Sequence, residues 1–268
     1  MNKKANISSY SFVTFILILL LSLGNLSSHG QVLFGPKVGA RASWVNFEVN
    51  NNDLKSKWVY GYSAGLASAF KVRNRFFLHA DLMYTRKGKE IKGEADPALL
   101  NKAVYHYLSL PIIYRVDFKG SISGVDFKWF AGLGPNIDYW WKGRGNLTSS
   151  ELDENDIEEL EYHIAFDFDP DLPEQDVQYV EDVNRVQLGL LFAVGAVFEP
   201  LPNQVFLVEA RFEWGHSYLA KGFGLYDNLL EYQDDMRARN QGIQISFSYL
   251  FDTQISNRKK GKSTIKNR

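Results

Sequence analysis

Apolar and polar residues alternate with a period of two through residues 125–142, which is the periodicity of a β-strand with two different faces. One face is apolar from Phe127 to Trp141, and the other carries glycines, Asn136 and Asp138. Strands of soluble sheets usually have about five or six residues, whereas a strand that crosses a bilayer in a tilted barrel needs about 9–11. The pattern predicts a membrane-crossing strand with one face towards lipid and one towards a lumen. The alternative is a long strand of a water-soluble barrel.

Seven further segments repeat this alternation. Together they predict an all-β chain, an eight-stranded antiparallel up-and-down transmembrane barrel with long extracellular loops. Links after odd-numbered strands are long or polar and links after even-numbered strands are short, as in outer-membrane barrels with short periplasmic turns. Pro111 falls inside the fourth strand, where the missing N–H donor predicts a bulge or an unpaired position. The predicted strands are residues 34–47, 58–71, 76–87, 104–117, 125–142, 185–198, 205–215 and 241–251.

The two ends of the chain differ from this pattern. A lysine pair, an apolar run over residues 12–23 and a small-residue exit before Gln31 predict a signal peptide at residues 1–30. An N-terminal anchor helix is the alternative, but the run is short for a span. We assign residues 31–252 to the barrel and residues 253–268 to a basic tail that is either disordered or binds acidic envelope components.

Composition narrows the class further. Of the 268 residues, 45% are hydrophobic and 15% aromatic, and there is no cysteine, which excludes a disulfide framework and a lipoprotein anchor. The net charge of −1 argues against a nucleic-acid partner. The histidines have no metal-ligand spacing, so we expect no metal and no cofactor. The predicted location is the cell outer membrane, with the lipid bilayer as the principal partner.

The inward-facing positions collect charged residues of both signs. An eight-stranded barrel is only wide enough to be filled by side chains or to hold one small ligand. Charges buried there need partners, so the pattern predicts an ion-pair network that fills the lumen rather than an ion-conducting path. Its predicted members are Lys37, Arg41, His79, Asp81, Arg115, Lys128, Asp138, Arg185, Glu209, Arg211 and Glu213.

His79 and Asp81 lie on one strand face, about 7 Å apart by the strand rise, and this spacing invites a catalytic interpretation. Catalysis needs a base within hydrogen-bond reach of a nucleophile and a group that orients the base. The sequence offers neither, so we predict a lumenal histidine bonded to its neighbours and a protein that is not an enzyme.

An acidic segment, residues 151–182, contains no lysine or arginine. Asp167, Asp169 and Asp171 alternate in a way that could converge on calcium. The glycine and the terminal glutamate of a calcium loop are missing, which favours a solvated loop. Alternatively, apolar residues of the segment form a cap or a partner-binding surface: Leu160, Tyr162, Ile164, Phe166, Phe168 and Leu172.

Short motifs spread along the chain resemble those of the small outer-membrane barrels of the Bacteroidota, the PorT-like or outer membrane protein beta-barrel domain family. The chain departs from that family in the length of its acidic loop and in the tail after Phe251. The motifs that carry the resemblance are Gly35-Pro-Lys-Val-Gly39, Asp81-Leu-Met-Tyr84 with Lys87-Gly88, Tyr107-Leu-Ser-Leu-Pro-Ile112, Gly132-Leu-Gly-Pro135, Gly189 with Gly195, Glu209-Ala-Arg211 and the closing residues 240–251.

This resemblance implies a non-enzymatic outer-membrane barrel with a structural or accessory role in the envelope. It implies a relation to type IX secretion, which is the role of the eponymous branch, and protein partners in the envelope or the secretion apparatus. The alternative function is a small-ligand-binding or ion-permeable barrel.

Overall fold

The computed structural model covers most of the predicted barrel. The predicted signal peptide, the basic tail and the three alternating aspartates of the acidic segment lie outside the described residues. The structure describes residues 32–47, 54–94, 96–122, 125–166, 176–201, 203–226 and 232–252.

The described residues contain one short helix, α1 (Ser150–Glu154), and long and short β-strands. The part of the chain that the structure describes contains no helix that is long and apolar enough to cross a membrane. The strands are β1 (Val32–Phe47), β2 (Leu54–Lys57), β3 (Val59–Arg73), β4 (Phe76–Gly93), β5 (Leu100–Ile122), β6 (Val125–Thr148), β7 (Leu160–Ala165), β8 (Val177–Val180), β9 (Val186–Leu201), β10 (Gln204–Tyr218), β11 (Phe223–Tyr226), β12 (Gln233–Asp235) and β13 (Ala238–Asp252).

Eight long strands form a closed antiparallel ring in the order β1, β3, β4, β5, β6, β9, β10 and β13. The last strand pairs with the first, so that Ala40 lies opposite Ile245 on one side and opposite Tyr62 on the other. In a bilayer no water is available to the backbone, and closure removes the unpaired edges that an open sheet would leave in lipid. The predicted eight-stranded up-and-down barrel is confirmed.

The two faces of the strands are distributed as the alternation predicted. Trp129 and Leu133 on β6 are 40% and 56% exposed on the protein surface, where lipid covers them. Phe130 and Trp140, on the opposite parity, are fully buried. Phe130 fits inside because it lies against Gly195 of β9, where even a Cβ atom would approach the ring to 2.6 Å.

The ladders of β5 are irregular on both sides of the strand. The pairing of β4 with β5 skips from Ala80 opposite Ile112 to Met83 opposite Ser109, and Pro111 lies in this gap as predicted. The pairing of β5 with β6 shifts register at His106, which leaves Trp141 as an extra residue on β6. Beyond this bulge the outward parity of β6 changes from odd-numbered to even-numbered residues.

Several predicted strands continue past the predicted ends, and the long connections are partly folded. The strands β7, β8 and β11 pair in succession beside β6, and β12 pairs with β11. Tyr162 and Ile164 of β7 are buried. The expectation of a solvated acidic loop is therefore wrong for its described part, since its apolar residues pack into a cap over the barrel mouth.

A charged residue on the lipid face should destabilise the barrel most near the middle of the membrane. Leu133 on β6 lies opposite Phe192 on β9, and both are exposed to lipid. We expect Leu133→Arg to lower the free energy of unfolding by about 2–4 kcal/mol, and Val72→Arg near a strand end by about 0–1 kcal/mol. Urea unfolding in micelles, followed by the heat-modifiable gel shift, measures both. Equal losses at the two positions would contradict the assigned lipid face.

Candidate functional site

The first group of buried charges joins three strands across the lumen. Lys37 of β1 donates to Asp81 of β4 at 2.9 Å and to Glu209 of β10 at 2.6 Å. Arg211 of β10 donates to the same Asp81 oxygen at 2.7 Å and lies 2.5 Å from Glu209. Ser246 of β13 donates to Glu209 at 3.0 Å. Each carboxylate thus receives hydrogen bonds from two cations.

A second group of buried charges lies further along the barrel axis than the first group, nearer the long connections. Lys87 of β4 donates to Asp138 of β6 at 2.5 Å and to Glu213 of β10 at 2.6 Å. Arg41 of β1 lies 2.7 Å from the other oxygen of Glu213. The Ser109 hydroxyl donates to Asp138 at 2.5 Å. This group therefore ties β1, β4, β5, β6 and β10 together through side chains.

The two groups, which we name the lumen network, are electrically neutral as a whole. Every member is at most 5% exposed. Burying one charge alone would cost several kcal/mol, and the pairing offsets that cost because each ion keeps oppositely charged neighbours. The network contains four cations, Lys37, Arg41, Lys87 and Arg211, and four carboxylates, Asp81, Asp138, Glu209 and Glu213.

Arg115 and His79 form a separate buried contact nearer the short turns. Arg115 pairs with Asp117 at 2.6 Å and donates to the His79 ring nitrogen at 2.9 Å. Its guanidinium lies 4.7 Å from the ring centre of Phe77 and 4.6 Å from that of Phe130. His79 thus takes its hydrogen bond from Arg115, while the carboxylate of Asp81 belongs to the lumen network.

Two predicted members of the network lie elsewhere. Lys128 pairs with Glu199 at 2.5 Å at the end of the barrel that carries the short turns, where both side chains are at least 40% exposed. Arg185 donates to the Trp140 carbonyl and the Tyr139 hydroxyl, and stacks 4.0 Å from the ring centre of Phe166. Their parity predicted that neither side chain points into the middle of the lipid face. Which charged side chains contact one another depends on their depth along the barrel axis, and parity does not give that depth.

Lys87 is the network member that sequence reasoning missed. It has the same parity as His79, Asp81 and Thr85 on β4, and this signal was sufficient to find it. Lys89, two residues further, forms another buried ion pair at 2.5 Å with Asp234 of β12. No local signal in the sequence connects those two residues, because they lie 145 positions apart.

Residues of the family-like motifs converge in the lumen network. Lys37 comes from the first motif, Asp81 and Lys87 from the second, and Glu209 with Arg211 from the sixth. Hydrogen bonds join the members of the first group directly, although Lys37 and Glu209 are 172 positions apart. The motifs therefore supply the charged contents of the barrel.

Aromatic side chains close the lumen above the network. Trp140 packs edge-on against Tyr105 and Phe166 at ring-centre distances of 4.8 and 5.0 Å, and it stacks on Tyr107 at 6.1 Å. The Tyr107 hydroxyl in turn donates to Gln187 at 3.3 Å. These rings belong to the core of the cap, which also includes buried residues of β7, β8 and β11.

The lumen network encloses a small cavity. A cavity of about 20 Å³ lies between the two groups of the lumen network and is lined by Arg41, Arg211, Glu213, Asn136 and Gln244 among others. This volume suits a single water molecule. Among the described side chains, no group of three or more histidines or acids is arranged to hold a metal ion.

Removing one member of the lumen network should cost much more than removing a charge at the rim. We expect Lys37→Met to lower the free energy of unfolding by about 3–5 kcal/mol, because Asp81 and Glu209 lose a buried counter-ion. The rim variant Lys128→Met is the control, with an expected loss below about 1 kcal/mol. Urea unfolding in micelles measures both.

A double variant separates charge balance from packing. Lys37→Met combined with Glu209→Gln restores a neutral lumen, so its loss of stability should be smaller than the sum of the two single losses. Strict additivity, or equal losses for Lys37→Met and Lys128→Met, would show that the buried ion pairs are not coupled.

Comparisons with solved structures find barrels of the outer membrane. Neisserial surface protein A has a TM-score of 0.37 and 12% identity, with 82% of this chain and 96% of that chain covered. OprG from Pseudomonas aeruginosa has a TM-score of 0.46 and 11% identity, with coverages of 83% and 96%. Ail of Yersinia pestis has a TM-score of 0.34 and 12% identity, with coverages of 82% and 98%. Similarities at this level carry no argument about function.

Sequence comparison gives a family. No curated protein matches the chain at the sequence level. A family model described as "Outer membrane protein beta-barrel domain" matches residues 25–217, which include six of the eight strands of the ring completely and all of β10 except Tyr218. Because this match spans well over half of the chain, the protein belongs to the outer membrane protein beta-barrel domain family and is a protein of the outer membrane.

Proposed function

We propose that this protein is a non-enzymatic barrel with a structural or accessory role in the envelope. In this role the barrel is a sealed anchor, and the part that meets other molecules is the folded cap at the end with the long connections. The observation that carries the proposal is the filling of the lumen at two successive levels, by the lumen network and by the aromatic core of the cap.

The filled lumen supports an anchor rather than a conduit. A pore needs a continuous gap, whereas the cavity between the two charged groups measures about 20 Å³. Trp140 and Tyr105 are fully buried above it. An ion that entered would have to displace paired charges and then an aromatic layer, and both steps are unfavourable.

The cap is fixed to the barrel wall by buried polar contacts. Asp234 of β12 accepts from Lys89 of β4 at 2.5 Å and from Gln178 of β8 at 2.9 Å. Gln178 also donates to the Tyr226 hydroxyl, and Tyr162 donates to Asn101 at 2.6 Å. Burial raises the pKa of Tyr162 and of Tyr226 well above the ordinary phenol value, so both hydroxyls stay neutral, Tyr162 as a donor to Asn101 and Tyr226 as an acceptor from Gln178. A cap held by such buried contacts suits a platform that contacts partners.

The positions of His79 and Asp81 support a non-enzymatic role. Both side chains are buried, at 2% and 0% exposure. Arg115 donates a hydrogen bond to a ring nitrogen of His79, and Lys37 and Arg211 donate to the carboxylate of Asp81. A general base must reach a substrate or a water molecule, and these two groups are instead committed to structural hydrogen bonds.

We further propose that the chain belongs to the PorT-like branch of the Bacteroidota and works beside envelope or secretion proteins, with a relation to type IX secretion. The motifs that carry the resemblance support this assignment. Export would depend on residues 1–30 as a signal peptide, and residues 253–268 would be a basic tail after the barrel.

A conductance measurement tests the sealed barrel. The purified full-length mature chain, reconstituted in planar bilayers, should give no reproducible single-channel openings, with a porin as the positive control. Reproducible openings would contradict the anchor and favour the ion-permeable alternative. Gel mobility before and after heating verifies that the reconstituted sample is folded.

Adjacent tryptophans provide a matched test of the aromatic layer. Trp140 is fully buried in the cap core, whereas Trp141 is 58% exposed on the outer surface. Trp140→Ala should lower the free energy of unfolding by about 3–5 kcal/mol because it opens a large cavity. Trp141→Ala should have a much smaller effect. Urea unfolding in micelles compares them, and equal effects would show that the cap core does not stabilise the fold.

A further inference from the structure

The bulge at Trp141 places basic residues on the outside of the barrel. Because of the extra residue, Lys142 and Arg144 point outward and are exposed. In the strand register Lys142 lies opposite His106 of β5, and His106 lies opposite Arg86 of β4. Three adjacent strands therefore place Arg86, His106 and Lys142 at one level, where Arg86 and Lys142 carry the positive charge.

A second row continues the basic surface. Arg144 lies opposite His163 of β7, one outward position further from the barrel centre than Lys142. Among the residues that the structure describes, none of the ion pairs within 4.0 Å involves Arg86, Lys142 or Arg144. These cations differ from those of the lumen, each of which is paired. We name Arg86, His106, Lys142, Arg144 and His163 the basic outer patch.

The patch lies directly above the aromatic residues of the lipid face. The next outward-facing position towards the membrane is Tyr84 on β4, Leu108 on β5 and Tyr139 on β6, which lie opposite one another in the strand register. Trp141 projects beside Lys142, whose ammonium lies 5.5 Å from the ring centre. Aromatic residues mark the level at which lipid tails give way to headgroups. One outward step along a strand is about 7 Å, so the patch lies at the headgroup level.

A cavity opens on this surface. It measures about 490 Å³, and its lining includes Arg86 and Arg144 near the lipid and Lys102, Glu159 and Glu161 further out, where Lys102 and Glu161 are both level with Asn146. Glu159 accepts a hydrogen bond from Asn146 at 2.8 Å. A volume of this size is in the range that small-molecule ligands occupy. The cavity is thus cationic near the lipid and of mixed charge further out.

We propose that the basic outer patch binds the phosphorylated headgroup of a glycolipid of the outer leaflet. That leaflet is built of lipopolysaccharide, whose lipid A anchor carries phosphate on a sugar directly above the acyl chains. The planar forks of Arg86 and Arg144 suit phosphate oxygens, and Lys142 adds a point charge. Sugar hydroxyls further out meet Glu159 and Glu161, which accept hydrogen bonds.

The geometry favours a lipid over a soluble polyanion. The patch faces sideways into the membrane boundary, because it continues the outward faces of β4, β5 and β6. A polyanion that approaches from the cell exterior would first meet a rim of mixed charge, where Glu159 and Glu161 lie near an ion pair of Lys102 with Glu90 at 3.9 Å. A lipid that diffuses in the leaflet meets the cations at its own phosphate level.

The test compares lipid A with lipid A from which phosphate has been removed, each titrated into the folded full-length mature chain in micelles at low salt. Binding is followed by tryptophan fluorescence and by native mass spectrometry. The patch variant is Arg86→Gln/Lys142→Gln/Arg144→Gln. The control removes the same charge at the opposite end, with Lys71→Gln/Arg73→Gln/Arg75→Gln. Heat-modifiable migration verifies that both variants are folded.

We expect the patch variant to bind phosphorylated lipid A at least on the order of tenfold more weakly, because each cation near the headgroups contributes to anionic-lipid affinity. The control variant should bind like the unmodified protein, and removal of phosphate should weaken binding by a similar factor. Equal affinity for the two lipids, or an unchanged patch variant, would overturn the proposal. Displacement by inorganic phosphate or heparin at equal concentration would overturn it in favour of a free anion or a soluble polyanion.

Discussion

Closure of the sheet between β1 and β13 is the constraint on which the rest of this protein depends. Backbone groups in lipid have no water to bind, so every strand in the membrane needs two neighbours. A ring of eight strands satisfies this need and leaves a lumen only as wide as its own side chains. Charges that point into that lumen lose their water, and they are stable only as the neutral lumen network. The same closure directs the apolar parity outward into lipid.

Much of this arrangement could be predicted because a strand has a side-chain period of two. The period assigns each residue to lipid or lumen without any knowledge of tertiary contacts. It therefore identified Lys37, Asp81, Glu209 and Arg211 as lumen residues although they are distant in sequence. The count of alternating segments predicted the strand number, and the alternation of long and short links agreed with it, because a barrel crosses its membrane in alternate directions.

The parity of a residue carries no information about its depth in the barrel or about strand register. The sequence-based prediction was wrong for features that depend on these two quantities. Lys128 and Arg185 have suitable parity but lie towards the ends of the barrel, outside the lumen network. The bulge at Trp141 depends on how β5 pairs with β6, which a single strand does not encode. The cap is held by contacts such as Lys89 with Asp234, across 145 positions, and no short-range pattern reports them. Tertiary pairing across long connections decides all three features.

The sequence separations within the lumen network have a consequence for the order of assembly. Lys37 lies on the first strand of the ring, and its partners Asp81 and Glu209 follow 44 and 172 positions later. While the barrel is open, Lys37 lacks at least one counter-ion, and a dehydrated lone ammonium in lipid is strongly unfavourable. The charges must therefore stay hydrated until β10 and β13 arrive. Dehydration of the lumen and joining of the first and last strands become one late, concerted event, with the slow kinetics of non-local pairing.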